Sequence, residues 1–164
     1  MSDYGSGAAT DLAVGVYALR TFAVADGKLS SVIQGAGHWD DGVCEARCVK
    51  DPTHEAPADG CKCGIYGTHT LEALFSQYPE HSSRIVAVIA PEGRTVTGPK
   101  GLRTAFARIV AYWCAEPDRS PSEADVCAEQ CPGARRFYDL NVMARLYGLS
   151  VEPVAVPGPD PSSR

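Results

Sequence analysis

The sequence predicts an α+β fold: a small antiparallel sheet, two to four helices, and one long loop that needs an external pin. Three observations point there. Runs rich in β-branched and aromatic residues flank Asp26-Gly27, a dipeptide suited to a two-residue hairpin turn. Near the C-terminus, "SPSEADVCAEQCPG" carries start and stop signals for a helix. Between them, Gly35 to Gly64 shows little periodicity and is long for a loop inside a compact domain.

In order along the chain, Val14 to Val24 reads as a strand, with Val16, Ala18, Phe22 and Val24 on one face and Tyr17 and Leu19 on the other. Its partner runs from Lys28 towards Ile33. "THTLEALFSQY" predicts a short helix capped by Thr68 or Thr70, with Leu71, Leu74 and Phe75 facing inward. "RIVAVIA" is a buried strand, "PEGR" a turn and "RTVTG" a short partner strand. In "LRTAFARIVAYWC", Leu102, Phe106, Ile109 and Trp113 fall at helical spacing and predict a helix; the Ile, Val, Tyr and Trp of its second half keep a strand open.

Ser120 and Glu123 then read as a capping box, with Pro121 at the first helical position and Pro132-Gly133 as the stop. A second helix over Ala134 to Tyr147 would bury Phe137, Leu140, Met143 or Val142, and Leu146, with Gly148 at its C′ position. "LSVEPVAV" suggests a last strand. The expected organisation is a flexible N-terminus over 1–12, a single domain over 13–155 with the loop at 35–66, and a proline-rich disordered tail over 156–164.

Composition narrows the function classes. A formal charge of -5 over 164 residues provides no overall basic field for nucleic acid. "MSDYGSGAAT" lacks the basic and apolar regions of a secretory signal, and the longest apolar run, Ile85 to Ala90, is far shorter than a bilayer span. The expected location is the cytoplasm. Seven cysteines, an odd number, in a reducing compartment point to metal ligation before disulfides.

The stretch "CVKDPTHEAPADGCKCG" concentrates that signal. Structural zinc takes four ligands in a tetrahedron, mostly thiolate and imidazole. Cys61 and Cys63, two apart, emerge from the same face of extended backbone and are too close in sequence for an unstrained disulfide. Cys48 and His54 complete a Cys₃His set, and Pro52, Pro57 and Gly60 let the loop fold back. Cys44 is an alternative ligand for Cys48 or His54. The competing reading is that these cysteines are small apolar residues of an ordered loop. Four protein ligands leave no open position, so the zinc would be structural rather than catalytic.

The pattern formed by Trp39, Gly42, Ala46, Cys48, His54, Ala56, Pro57, Cys61, Cys63, Gly64, Ile65 and Tyr66 resembles a group of small proteins of actinobacteria and their phages. Gly101 with Arg103, and Tyr147-Gly148, are similar to later parts of that group. The resemblance implies no activity. It favours Cys48 over Cys44 as ligand, since Cys44 lies outside the shared pattern, and places a phage-encoded chain in the host cytoplasm.

Four other places attract attention. Cys127 and Cys131 share a helix face and Cys114 ends the preceding segment, so these thiols are either a second metal or redox cluster or buried packing. "TGPKGLRT" sets Thr97, Lys100 and Arg103 before the predicted helix, where free N–H groups suit a phosphate or carboxylate, within a locally basic segment. His38 beside Asp40 and Asp41 has the makings of a general base but lacks any accompanying catalytic signature. Arg135, Arg136 and Arg145 give the last two helices a superficial helix-turn-helix look. The function expected is a zinc-stabilised, non-enzymatic binding or regulatory module acting through a protein partner. The alternatives are a binder or enzyme for a small anion or nucleotide at the Lys100–Arg103 turn, and a nucleic-acid-binding protein.

Overall fold

The computed structural model describes residues 16–32, 38–115 and 122–149. Its strands are β1 (Ala18–Arg20), β2 (Ala23–Ala25), β3 (Lys28–Ser30), β4 (Val43–Glu45), β5 (Ile65–Thr68), β6 (Ile85–Thr97), β7 (Gly101–Cys114) and β8 (Arg135–Phe137). The helices are α1 (Leu71–Gln77), α2 (Pro79–Ser82), α3 (Glu123–Gln130) and α4 (Leu140–Leu146). The fold is α+β, with antiparallel pairing throughout except where β8 joins β7 in parallel.

The long β6–β7 hairpin is the spine. On its other edge β6 pairs with β1, β1 pairs with β5, and β5 returns to β7, so these strands close into a ring. The free edge of β7 then carries β5, β4 and β8 in succession. Burial on both faces explains the unbroken apolar run of β6. Ile85, Ala87 and Ile89 pack with Val126 and Cys127 of α3, whereas Val86 and Val88 pack with Leu71 and Leu74 of α1 and Met143 and Ala144 of α4.

The first hairpin turns at Asp26-Gly27, with φ of 52° and 72°, the positive values a type I′ turn requires. Its strands separate, however: β1 joins the main sheet, while β2 and β3 form a two-stranded sheet of their own. Thr70 caps α1, its hydroxyl accepting from the Ala73 N–H at 3.0 Å. "PEGR" is not a turn; Gly93, at φ 73°, lies in a bulge between the Glu92 and Thr95 pairings, and β6 continues through it.

The largest correction concerns Gly101–Cys114, which is a strand. Val88 pairs with Ala111 and Ile89 with Ile109, so Val110 is an extra residue. Such irregularities reset the period-two alternation and leave apolar residues at a spacing that imitates a helix.

The C-terminal half also differs in register. The cap of α3 is Ser122, in a capping box with Asp125, while Glu123 is buried and paired with Arg84. Ala134 to Tyr147 is not one helix: Arg135–Phe137 forms β8, and α4 starts after Asp139, whose carboxylate accepts from the Val142 N–H at 3.0 Å. Phe137 and Met143 are buried as expected, but Val142 and Leu146 are 49% and 58% exposed. Gly148 does end α4 at C′, with φ 69°; its N–H donates to Arg145 O at 3.0 Å and the Leu149 N–H to Ala144 O at 2.9 Å. The proposed N-terminal arm, Ser120 and Pro121, the strand after Leu149 and the tail lie outside the described residues.

Ring closure demands a close approach of β1 and β5 at Gly67. A Cβ there would stand 2.6 Å from the Ala18 Cβ and 3.1 Å from the Ile89 Cδ1. Gly67→Ala is expected to destabilise the protein by about 1–3 kcal/mol through overpacking. The check is chemical denaturation, and a midpoint equal to that of the native chain contradicts this packing.

Candidate metal centre

The loop between β4 and β5 is tied down at both ends. At one, the Ala46 N–H donates to Ala105 O at 2.8 Å, extending the β4–β7 ladder. At the other, Gly64 has φ 126°, and a Cβ there would meet the Arg103 Cβ at 3.2 Å and the Pro57 Cβ at 3.3 Å. Glycine is therefore required where the loop turns into β5 against β7.

Within this loop Cys48, His54, Cys61 and Cys63 converge. One ligand atom from each lies within 4.8 Å of all the others, and the four residues are positioned to bind a metal ion. The Cys48 and Cys61 sulfurs are 3.7 Å apart, and the Cys63 sulfur is 3.4 Å from His54 Nε2. A tetrahedral ion with bonds of about 2.3 Å to sulfur and about 2.0 Å to nitrogen sets sulfur–sulfur edges of about 3.8 Å and sulfur–nitrogen edges of about 3.5 Å. The observed pairs match those edges. They are also far longer than a disulfide, and all the cysteines are free.

The surroundings suit thiolate and imidazole ligands. Backbone N–H groups of Asp51 and Ala58 donate to the Cys48 and Cys63 sulfurs, each at 3.4 Å. The Cys63 N–H, followed by the Cys48 side chain, lowers the Cys61 thiol to about 7, whereas burial pushes Cys63 up. On its far side, His54 Nδ1 lies 3.6 Å from an Asp51 carboxylate oxygen. That carboxylate is itself fixed by the Thr53 N–H at 3.0 Å and the Thr53 hydroxyl at 2.5 Å. A carboxylate behind a ligating histidine is the arrangement that orients such rings.

Arg103 locks the loop to the sheet. It sits on β7, 5% exposed, and its guanidinium donates to the carbonyls of Cys61, Cys63 (3.0 Å) and Ala58 (3.4 Å). This corrects the anion-binding assignment. No helix starts at Thr97–Thr104; Gly98 to Gly101 is the β6–β7 turn, Thr97 and Lys100 are exposed there, and Arg103 points its donors at the loop. The locally basic segment is similarly committed: Arg84 pairs with Glu123, Arg94 with Asp59 at 3.3 Å and Arg108 with Glu92 at 3.2 Å. The helix-turn-helix likeness also dissolves, because Arg135 and Arg136 lie on β8, stacked over Phe137 and Tyr138.

Cys44 is not a member of the ligand group. It sits on β4, 2% exposed, in the core with Trp39 and Ala107. Cys44→Ala is accordingly expected to leave metal content unchanged while lowering stability by about 1 kcal/mol for the lost sulfur contacts; a fall in bound metal contradicts this placement. The Cys114 and Cys127 sulfurs are 3.6 Å apart and both buried, with Cys131 buried beside Gly42. These three do not gather as a metal-holding group among the described residues. His38 is exposed at a bridge to Ser30, and the adjacent Trp39 is fully buried against Phe22.

Sequence reasoning missed the roles of Arg103 and Asp51. The available signal for the first was an arginine amid apolar strand residues, and for the second an Asp-x-Thr turn three residues before His54. No described helix is long and apolar enough to cross a membrane. The chain matches none of the protein-family models, curated proteins or solved structures compared with it.

Proposed function

We propose that the protein is a small zinc-stabilised binding module, in which Cys48, His54, Cys61 and Cys63 hold a structural zinc and the rest of the surface engages a protein partner. The observation that carries the zinc assignment is the convergence of three sulfurs and one imidazole nitrogen within 4.8 Å, with the Cys48–Cys61 and Cys63–His54 separations at tetrahedral edge lengths. Soft thiolates with imidazole select zinc over magnesium or calcium, and four protein ligands close the coordination shell against substrate. The partner reading rests on what remains: Val142 and Leu146, one turn apart on α4, are exposed, as is Tyr138 just after β8.

Cobalt substitution tests the centre. Cobalt(II) added to metal-stripped protein should give the visible absorption of a tetrahedral thiolate complex, bleached by one equivalent of zinc. Octahedral cobalt spectra, or no uptake, contradict the assignment. For the partner, a Val142→Asp/Leu146→Asp variant should keep fold and metal while losing a stoichiometric protein captured by the native chain. Equal capture by both chains rejects that surface.

A further inference from the structure

A cleft of about 290 Å³ opens between β1, β5 and the C-terminal end of α1. Val32, Tyr66 and Tyr78 contribute half-buried apolar wall over the buried Leu19, Ile65 and Leu74, and Arg20 and Lys62 are its charged residues; no Asp or Glu lines it among the described residues. Arg20 is the unusual member. Its Nη1 donates to Tyr66 O at 2.7 Å and its Nη2 to the Ser31 hydroxyl at 2.9 Å, but Nε is fully buried with no hydrogen-bond partner. Its guanidinium lies 5.6 Å from the Phe22 ring centre and 5.3 Å from that of Trp39, which hold it in place. No carboxylate pairs with it among the described residues.

A half-buried guanidinium without an anion carries part of its desolvation cost uncompensated, and its two Nη groups can meet a carboxylate in two parallel bonds. Burial lowers its pKa to about 10, so the charge persists at neutral pH. We propose that this cleft binds a small organic carboxylate with an apolar body, the carboxylate on Arg20 and the hydrocarbon against Val32, Tyr66 and Tyr78. The volume is at the small end for ligand pockets, and one arginine with a rim lysine matches a single carboxylate better than a polyphosphate. The cleft shares Lys62 and Gly64 with the loop that carries Cys61 and Cys63, and Arg20, on β1, lies outside that loop.

The probe is octanoate, with octan-1-ol (same body, no charge) and acetate (charge, no body) as controls, added to the full metal-loaded chain. Octanoate is expected to shift the Arg20 Nε–H resonance saturably and raise the melting temperature, with both controls at least tenfold weaker. Lys62→Glu should weaken octanoate about two- to fivefold at low salt, the range of an exposed charge pair. Arg20→Lys, which keeps the charge but loses the fork, should weaken it at least tenfold; if that variant fails to fold, the native Nε shift and Lys62→Glu decide. Octan-1-ol binding as tightly as octanoate, octanoate binding without moving the Arg20 resonance, or no saturable binding at millimolar octanoate would each overturn the proposal.

Discussion

Cys61→Ser/Cys63→Ser is expected to abolish metal binding and release the segment between Ala46 and Gly64 from the sheet. Serine oxygens are poor replacements for thiolates at zinc. In small zinc domains the metal contributes about 10–16 kcal/mol of apparent binding free energy, and zinc bound here would couple that energy to ordering a loop without a core of its own. Val49 at 81% exposure and the exposed Lys50, Asp51, Pro52 and Thr53 show how little that loop buries. The β6–β7 spine keeps its own two-faced core, so the loss should be local. Amide hydrogen exchange should rise to near-unprotected rates across the loop while β6 and β7 stay protected. Unchanged loop protection in the variant would mean that packing alone orders the segment.

Arg103→Leu is the second large effect, expected at about 3–5 kcal/mol of stability with a concurrent fall in metal affinity. The Cys61 and Cys63 carbonyls lose their donor, that of Ala58 keeps the Cys61 N–H at 3.2 Å, and each unsatisfied part-buried carbonyl costs about 1–3 kcal/mol. Arg103→Lys should recover part of the loss, since one ammonium cannot span what the planar fork reaches. Denaturant titrations with and without added zinc separate the two contributions. An Arg103→Leu chain as stable as the native one contradicts the clamp.

These outcomes show where the chain was legible. Local signals read well: the Asp26-Gly27 turn, the Thr70 cap and the Gly148 stop each depend on a few adjacent atoms, and each is found where expected. The Cys/His cluster of the long loop was legible for the same reason, because Cys61-x-Cys63 and the nearby His54 are short-range chemistry. The long strand β7 was not. Its alternation is broken by bulges whose positions are set by pairing with β6, a non-local fact. Arg135–Phe137 has helical neighbours and becomes a strand only because the edge of β7 is there to accept it. Arg103 was visible as a cation but misplaced in role. Its partners lie 40 or more residues away in sequence, and no spacing rule connects them.

The most direct measurement is native mass spectrometry of the purified full chain under reducing conditions, before and after acidification. Protonation of thiolates and imidazole competes with the metal, so binding must weaken as pH falls. The account predicts the chain mass plus one zinc at neutral pH, and the metal-free mass in acid. A folded, metal-free chain at neutral pH in zinc-sufficient medium would contradict the account, and Cys48, His54, Cys61 and Cys63 would then be a packed cluster rather than a metal centre.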